Sequence, residues 1–175
     1  LTQEDTIESI TKMMLDQTQK HLEKYKTQKI KINELKPEKD FTDTEEAINL
    51  AIKLKSSEFV IIGAIGTRID HVLANINVLK IALDNNIKAK IINEHNEIEL
   101  INNELIIEKN NLYKYISIMP LTTQVEGITI TGMKYPLENY TLTIGNSLGV
   151  SNEQIEKTAK IKVKDGILIV IKSRD

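Results

Sequence analysis

Two carboxylates stand three residues apart in Lys39-Asp40-Phe41-Thr42-Asp43-Thr44-Glu45, beside a lysine and at a strand-to-helix junction. That spacing straddles a helix start, so both carboxylates can reach a crevice where a hard divalent cation meets phosphate oxygens. Magnesium suits such an open arrangement, because it binds through a few carboxylates together with phosphate and water. A purely structural reading stands level with it. Thr42 and Glu45 have capping-box spacing, and Asp43 complements a helix dipole wherever it occurs in a first turn.

A second cluster follows a short apolar run: Phe59-Val-Ile-Ile and then Gly63-Ala-Ile-Gly66-Thr67-Arg68-Ile-Asp70-His71. Glycines let backbone approach a phosphate closely, a helix start offers amides, and Arg68 adds a planar, permanently charged fork. Asp70 suits a substrate amine or a ribose hydroxyl and equally an N-cap. His71 suits a base edge or a partner of Asp70, and Asn75, one turn on, suits solvent. A strand delivering such a turn to a helix is how open parallel sheets place phosphates, so phosphate chemistry leads.

The third cluster, Gly145-Asn-Ser147-Leu-Gly149-Val-Ser151-Asn152-Glu153, lies in the rear of the chain. Dense small residues make a tight loop exposing hydroxyl and amide groups, which fits a flat heterocycle. An ordinary strand connection fits them as well.

These clusters need elements to hold them. Ile7, Ile10, Met14, Leu22 and Tyr25 recur at helical spacing, and Lys29 to Leu35 alternates as a strand before Pro37. A helix is expected from about Asp43 to Lys55, a buried strand over Phe59 to Ile62, a helix with core stripe Val72, Ile76, Leu79 and Leu83, and a strand over Lys90 to Ile92. After about His95 strand-length runs follow one another: 97–101, 104–108, 113–119, 125–131, 141–144, 159–164 and 167–171. Asp165-Gly166 between the last two predicts a type I′ hairpin. The fold class is therefore α/β with two domains. Residues 1–95 are expected to form an α/β domain with a parallel sheet, and residues 96–175 an antiparallel β domain.

Composition narrows the function. The chain has 175 residues, 23 basic and 25 acidic side chains and a formal charge of −2, which leaves no broad basic surface for nucleic acid. Cysteine is absent, so thiol catalysis and thiolate metal sites are excluded. No apolar run has bilayer-crossing length and the N-terminus carries no signal-peptide pattern, so a cytoplasmic protein with no membrane partner is expected. The first periodic segment is a helix with no strand before it. A parallel sheet normally begins with its own strand, which places the front of the domain before Leu1.

Taken in order, the motifs resemble the thiamin pyrophosphokinase family. Lys39-Asp40-Phe41-Thr42-Asp43 is similar to its Lys-Asp-x-Thr-Asp motif, and Gly63 to His71 to its Gly-x-x-Gly-Gly-Arg-x-Asp-His motif. Gly127-Ile-Thr-Ile-Thr-Gly132-Met-Lys-Tyr-Pro-Leu137 followed by Ser147-Leu-Gly149-Val-Ser151-Asn152 is similar to its thiamine-side signature. The likeness runs from about Glu38 to the C-terminus. It departs at Thr67, which stands where the family has a second glycine. The family's Gly-Asp-Phe-Asp-Ser metal motif is also missing, and Leu1-Thr-Gln-Glu is similar to the sequence that follows it.

The resemblance implies transfer of a pyrophosphoryl group from ATP to thiamine with Mg²⁺, giving thiamine diphosphate and AMP. It assigns Lys39, Thr42, Gly63, Gly66, Thr67, Arg68, His71 and Asn75 to ATP. Asp70, Ser147, Ser151 and Asn152 go to thiamine, and Asp40 and Asp43 to the metal. Asp40, Asp43 and Arg68 carry catalysis. The resemblance also implies a Rossmann-like α/β nucleotide-binding domain followed by an antiparallel β-sandwich, paired as a homodimer with active sites shared between subunits. A homologue that binds thiamine or nucleotide without turnover is the alternative, and a structural dimerisation protein a third.

Overall fold

The computed structural model describes residues 41–175. The expected helix through Ile7 to Tyr25, the expected strand over Lys29 to Leu35 and the candidate residues Lys39 and Asp40 lie outside the described residues. The chain divides into two compact units, Leu1–Ile92 and Asn93–Asp175.

In the first unit the described elements are α1 (Asp43–Lys53), β1 (Glu58–Ile62), α2 (Ile69–Asp84) and β2 (Lys88–Ile92). Thr42 caps α1: its backbone is extended and its hydroxyl accepts from Glu45 N at 3.2 Å. Asp43, Glu45 and Glu46 in the first turn and Lys53 in the last complement the helix dipole. Both helices end the same way. Lys55 N donates to Ile52 O and Ser56 N to Ala51 O, while Asn86 N donates to Leu83 O and Ile87 N to Ala82 O. These are Schellman closures, with Lys55 (φ 55) and Asn86 (φ 57) in the left-handed position that glycine usually fills. The turn at Lys55 therefore stops α1 two residues before the expected end. β1 and β2 are parallel, in register from Glu58 opposite Lys88 to Ile62 opposite Ile92, with α2 as the crossover between them. Ile76, Leu79 and Ala82 form the buried stripe of α2, and Phe59 and Ile61 the buried face of β1.

The second unit is all strand among its named elements: β3 (Asn96–Ile101), β4 (Glu104–Glu108), β5 (Tyr115–Pro120), β6 (Gln124–Thr131), β7 (Leu137–Thr143), β8 (Asn152–Glu153), β9 (Thr158–Lys162) and β10 (Leu168–Ser173). Every pairing within it is antiparallel. One sheet runs β3-β10-β5-β8, the other β4-β9-β6-β7. Inward residues of both, among them Ile116, Ile118, Leu168 and Val170 from the first and Ile107, Val125, Ile128, Leu142 and Ile161 from the second, share one core. At its edge Lys172 Nζ lies 2.6 Å from Glu97 Oε1 and 3.4 Å from Glu99 Oε1, so these charges are buried as a paired group.

Three expectations need correction. β7 spans Leu137–Thr143 rather than 141–144, because its ladder with β6 continues from Tyr140 to Leu137 across an irregularity at Glu138-Asn139. β8 falls in a segment where the sequence predicts a loop, because two residues carry no periodicity. The Asp165-Gly166 hairpin does not exist, since β9 belongs to one sheet and β10 to the other. Gly166 takes the positive φ that was anticipated (90°), but Asp165 does not, and Asp165 instead bridges Glu126. The dipeptide turns the chain from one sheet to the next. No helix among the described residues is long and apolar enough to cross a membrane.

Candidate functional site

At the end of β1 the chain leaves the sheet through Gly63, whose φ of 85° sharply redirects it. Ala64 is buried, and its carbonyl accepts a 2.8 Å hydrogen bond from the side-chain amide of Asn75, itself only 8% exposed on α2. This bond ties the loop to the second turn of the helix that follows. Asn75, expected at the surface, is thus a buried brace. A helical residue after Gly-rich sequence and an apolar stripe gave no cue to it, because the partner is a backbone carbonyl eleven residues earlier.

From Gly66 to His71 the loop and helix start are exposed. A Cβ added at Gly66 would meet no described atom within 4 Å, and its φ is not positive, so neither space nor backbone geometry in the described chain demands glycine there. Thr67 stands beside it. α2 begins with Arg68 as N-cap, and no side chain caps the helix, which overturns the reading of Asp70 as the cap. Asp70 instead pairs with Arg68, Nη2 to Oδ2 at 2.5 Å and Nε to Oδ1 at 3.2 Å. The Arg68 hydrogen bond holds the Asp70 carboxyl below the usual carboxylate range, and Asp70 raises the Arg68 guanidinium above its ordinary value. Both side chains are about two-thirds exposed, at 68% and 65%. A pair so open to solvent adds little to folding, so it orients the guanidinium rather than anchoring the fold. His71 is also exposed.

Thr42 and Asp43 open α1, with the Thr42 hydroxyl already accepting the capping bond and Asp43 half-buried in the first turn. Among the described residues no three His, Asp or Glu side chains converge as a metal cage. Asp43 shares that first turn with Glu45 and Glu46, and a first-turn carboxylate fits magnesium only where phosphate oxygens complete its shell.

Of the residues expected at thiamine, Asp70 lies in the first unit and Ser147, Ser151 and Asn152 in the second. Gly149 O accepts from Ile118 N at 2.8 Å, and a Cβ at Gly149 would overlap the Ile118 side chain and carbonyl, so this glycine is required by contact with β5. Ser147 is exposed and accepts through its carbonyl from Val150 N. Ser151 is exposed with φ 61°. Asn152 is buried: its Oδ1 accepts from Tyr135 N at 3.0 Å, and its Nδ2 donates to Tyr135 O at 2.8 Å. The amide of Asn152 thereby acts as one rung of a ladder against the 133–136 loop, and its polar atoms serve the fold.

That clasp leaves the Tyr135 ring 59% exposed, with Lys134 Nζ 5.6 Å from its centroid and Lys134 paired to Glu153 at 3.1 Å. An exposed aromatic whose backbone is held by Asn152 suits a flat heterocycle. Sequence reasoning passed over Tyr135, although it stands inside the Gly127 to Leu137 motif.

Two family models match the chain, one after the other. The thiamin pyrophosphokinase catalytic domain model matches residues 14–91, and the thiamin pyrophosphokinase vitamin B1 binding domain model matches residues 102–168. The chain is 38% identical over 139 residues to thiamine pyrophosphokinase of Bacillus subtilis (strain 168), covering 79% of this chain and 65% of that protein. It is 27% identical to thiamine pyrophosphokinase 1 of Oryza sativa, over 66% of this chain and 45% of that one. The chain thus spans about two-thirds or less of the length of these curated relatives. Among solved structures, thiamine pyrophosphokinase from Bacillus subtilis superposes with a TM-score of 0.79 at 34% identity, covering 87% of this chain and 70% of that one. A thiamin pyrophosphokinase family protein from Enterococcus faecalis gives 0.73 at 30% identity, over 89% and 75%. Both family models, in their order along the chain, and these structural relatives show that the chain belongs to the thiamin pyrophosphokinase family.

Proposed function

We propose that the protein transfers the terminal pyrophosphoryl group of ATP to the hydroxyl of thiamine, releasing AMP. The observation that carries this reading is the loop from Gly63 to Asp70. It pairs an exposed Arg68 fork, oriented by Asp70, with a helix start that no side chain caps and a glycine that the surrounding chain does not require. Amides and a guanidinium directed at one place suit a polyphosphate.

In this reading the first unit is a Rossmann-like nucleotide-binding domain. Arg68 balances the charge of the transferred group, Gly63, Gly66 and Thr67 line the phosphate path, and Lys39, Thr42 and His71 also serve ATP. Asn75 holds that path in place from inside. Asp43, with Asp40, would hold Mg²⁺ together with phosphate oxygens; when bound, the ion neutralises phosphate charge. The second unit takes thiamine, with Ser147, Ser151 and the Tyr135 ring at the surface and Asn152 bracing them, while Asp70 is available to the aminopyrimidine. The protein acts in the cytoplasm as a homodimer, each site drawing its nucleotide half and its thiamine half from different subunits.

The direct test is thiamine-dependent formation of AMP from ATP by the full-length protein. Asp43→Asn is expected to fold normally and to lose roughly a hundredfold or more in kcat. Near-normal activity across a magnesium titration would remove Asp43 from the site. Co-expression of Asp43→Asn with a Ser151/Asn152 double-alanine chain, each inactive alone, is expected to yield a heterodimer with one working site. A purified heterodimer as inactive as its parents would put both halves of the site on one chain.

A further inference from the structure

Ser117 has no place in any motif. It lies on β5, on the face opposite Ile116 and Ile118, which point into the shared core, and it is 9% exposed. A buried hydroxyl needs a partner, and Ser117 Oγ has one: it accepts from Ser151 N at 3.0 Å.

The need for that bond comes from the way the 149–153 segment meets β5. Tyr115 is in register with Glu153, and Ile116 with Asn152. Even continuation would set Ile118 against Val150, yet Ile118 N donates to Gly149 O, one residue further on. The segment therefore holds one extra residue, and a bulge follows. Such a bulge leaves one amide outside the ladder and favours a left-handed residue, for which glycine is the usual choice. Here that residue is Ser151, at φ 61°. The Ser117 hydroxyl takes its stray amide, the Gly149 contact fixes one side of the bulge, and the Asn152 clasp on Tyr135 fixes the other.

We infer that Ser117 is a positioning residue for the thiamine half of the site: from inside the sheet it locks Ser151 in its left-handed conformation, next along the chain to the Asn152 clasp on Tyr135. This deepens the proposed function and rests on it. A serine costs backbone strain at φ 61° that a glycine would not. The strained choice gives the bulge an exposed side chain with a hydroxyl.

The test measures thiamine binding by calorimetry, KM for thiamine and for ATP, and the melting temperature, in the full-length protein. Ser117→Ala leaves the Ser151 amide without its acceptor. It is expected to weaken thiamine binding by about tenfold while KM for ATP stays within about twofold. Ser117→Thr keeps the oxygen and suits a strand, so it is expected to bind within about threefold of wild type. Ser151→Gly relieves the strain and is expected to raise the melting temperature while weakening thiamine binding, a combination that stability alone does not produce. Should Ser117→Ala fail to fold, Ser151→Gly decides: higher melting with unchanged thiamine affinity overturns the inference. Equal affinity of Ser117→Ala and wild type overturns it too, as does parallel loss of both substrates. A wild-type protein with no affinity for thiamine would overturn the functional reading and this inference with it. Wild-type affinity with an indifferent Ser117→Ala overturns the positioning role alone.

Discussion

The loop from Gly63 to His71 and the segment from Gly145 to Glu153 are both rich in small and polar residues, and the molecule uses them in opposite ways. In the first, the charged side chains are exposed, one glycine sits in open space, and a single buried amide, Asn75, braces the backbone from behind. In the second, the polar groups are turned inward: Asn152 is spent on Tyr135, the Ser151 amide on Ser117, and Gly149 on close contact with β5. Composition alone does not separate a loop whose polar groups await a ligand from one whose polar groups build a platform. The contacts of each glycine do.

The sharpest test of that contrast sets two glycine-to-alanine changes side by side. Gly149→Ala drives a methyl group into the Ile118 backbone and is expected to cost about 2 kcal/mol or more of stability. Gly66→Ala meets nothing among the described residues and is expected to change stability by no more than about 0.5 kcal/mol, while lowering kcat/KM for ATP. Urea denaturation of both variants with an ATP titration reads the difference. Comparable stability losses would show that Gly66 serves packing after all, and the contrast between the loops would collapse.

The same contrast explains what could be read from sequence. β1, α2 and β2 were legible because their apolar periodicities are strong, and the Thr42 cap because its partner is three residues away. The Gly66-Thr67-Arg68-x-Asp70-His71 cluster is expected to carry chemistry, and its charged side chains stand in solvent. The second loop was legible only as a motif. Asn152 carries the sequence signature of a ligand, yet its partner, the Tyr135 backbone, is seventeen residues away. Ser117 and Asn75 were invisible for the same reason, each bonding to backbone far along the chain. The false hairpin at Asp165-Gly166 failed because turn chemistry reports local φ and not the sheet to which the next strand belongs.

A smaller effect is expected at Arg68. Lysine preserves its charge but not the planar fork that engages both oxygens of Asp70. Arg68→Lys is expected to lower kcat/KM by about tenfold and leave denaturation unchanged, because the pair stands in solvent. Unaltered kinetics would make the first loop as inert toward ligand as a plain surface turn.

The smallest effect is electrostatic. Asp70 has a folded-state pKa below its unfolded value, chiefly through the hydrogen bond from Arg68. A depressed carboxyl stabilises the fold only above its unfolded pKa, and that contribution is lost as pH falls through the folded value. Wild type should therefore exceed Asp70→Asn slightly in stability at neutral pH, with the gap closing below the ordinary carboxylate range. Solvent exposure keeps the gap small, so a site-resolved NMR titration is the better measurement. The Asp70 midpoint should lie below that of an ordinary aspartate and return toward it in Arg68→Ala. A midpoint indifferent to Arg68 would mean that the guanidinium is not held by Asp70, and the first loop would then lose the ordered charge that sets it apart from the second.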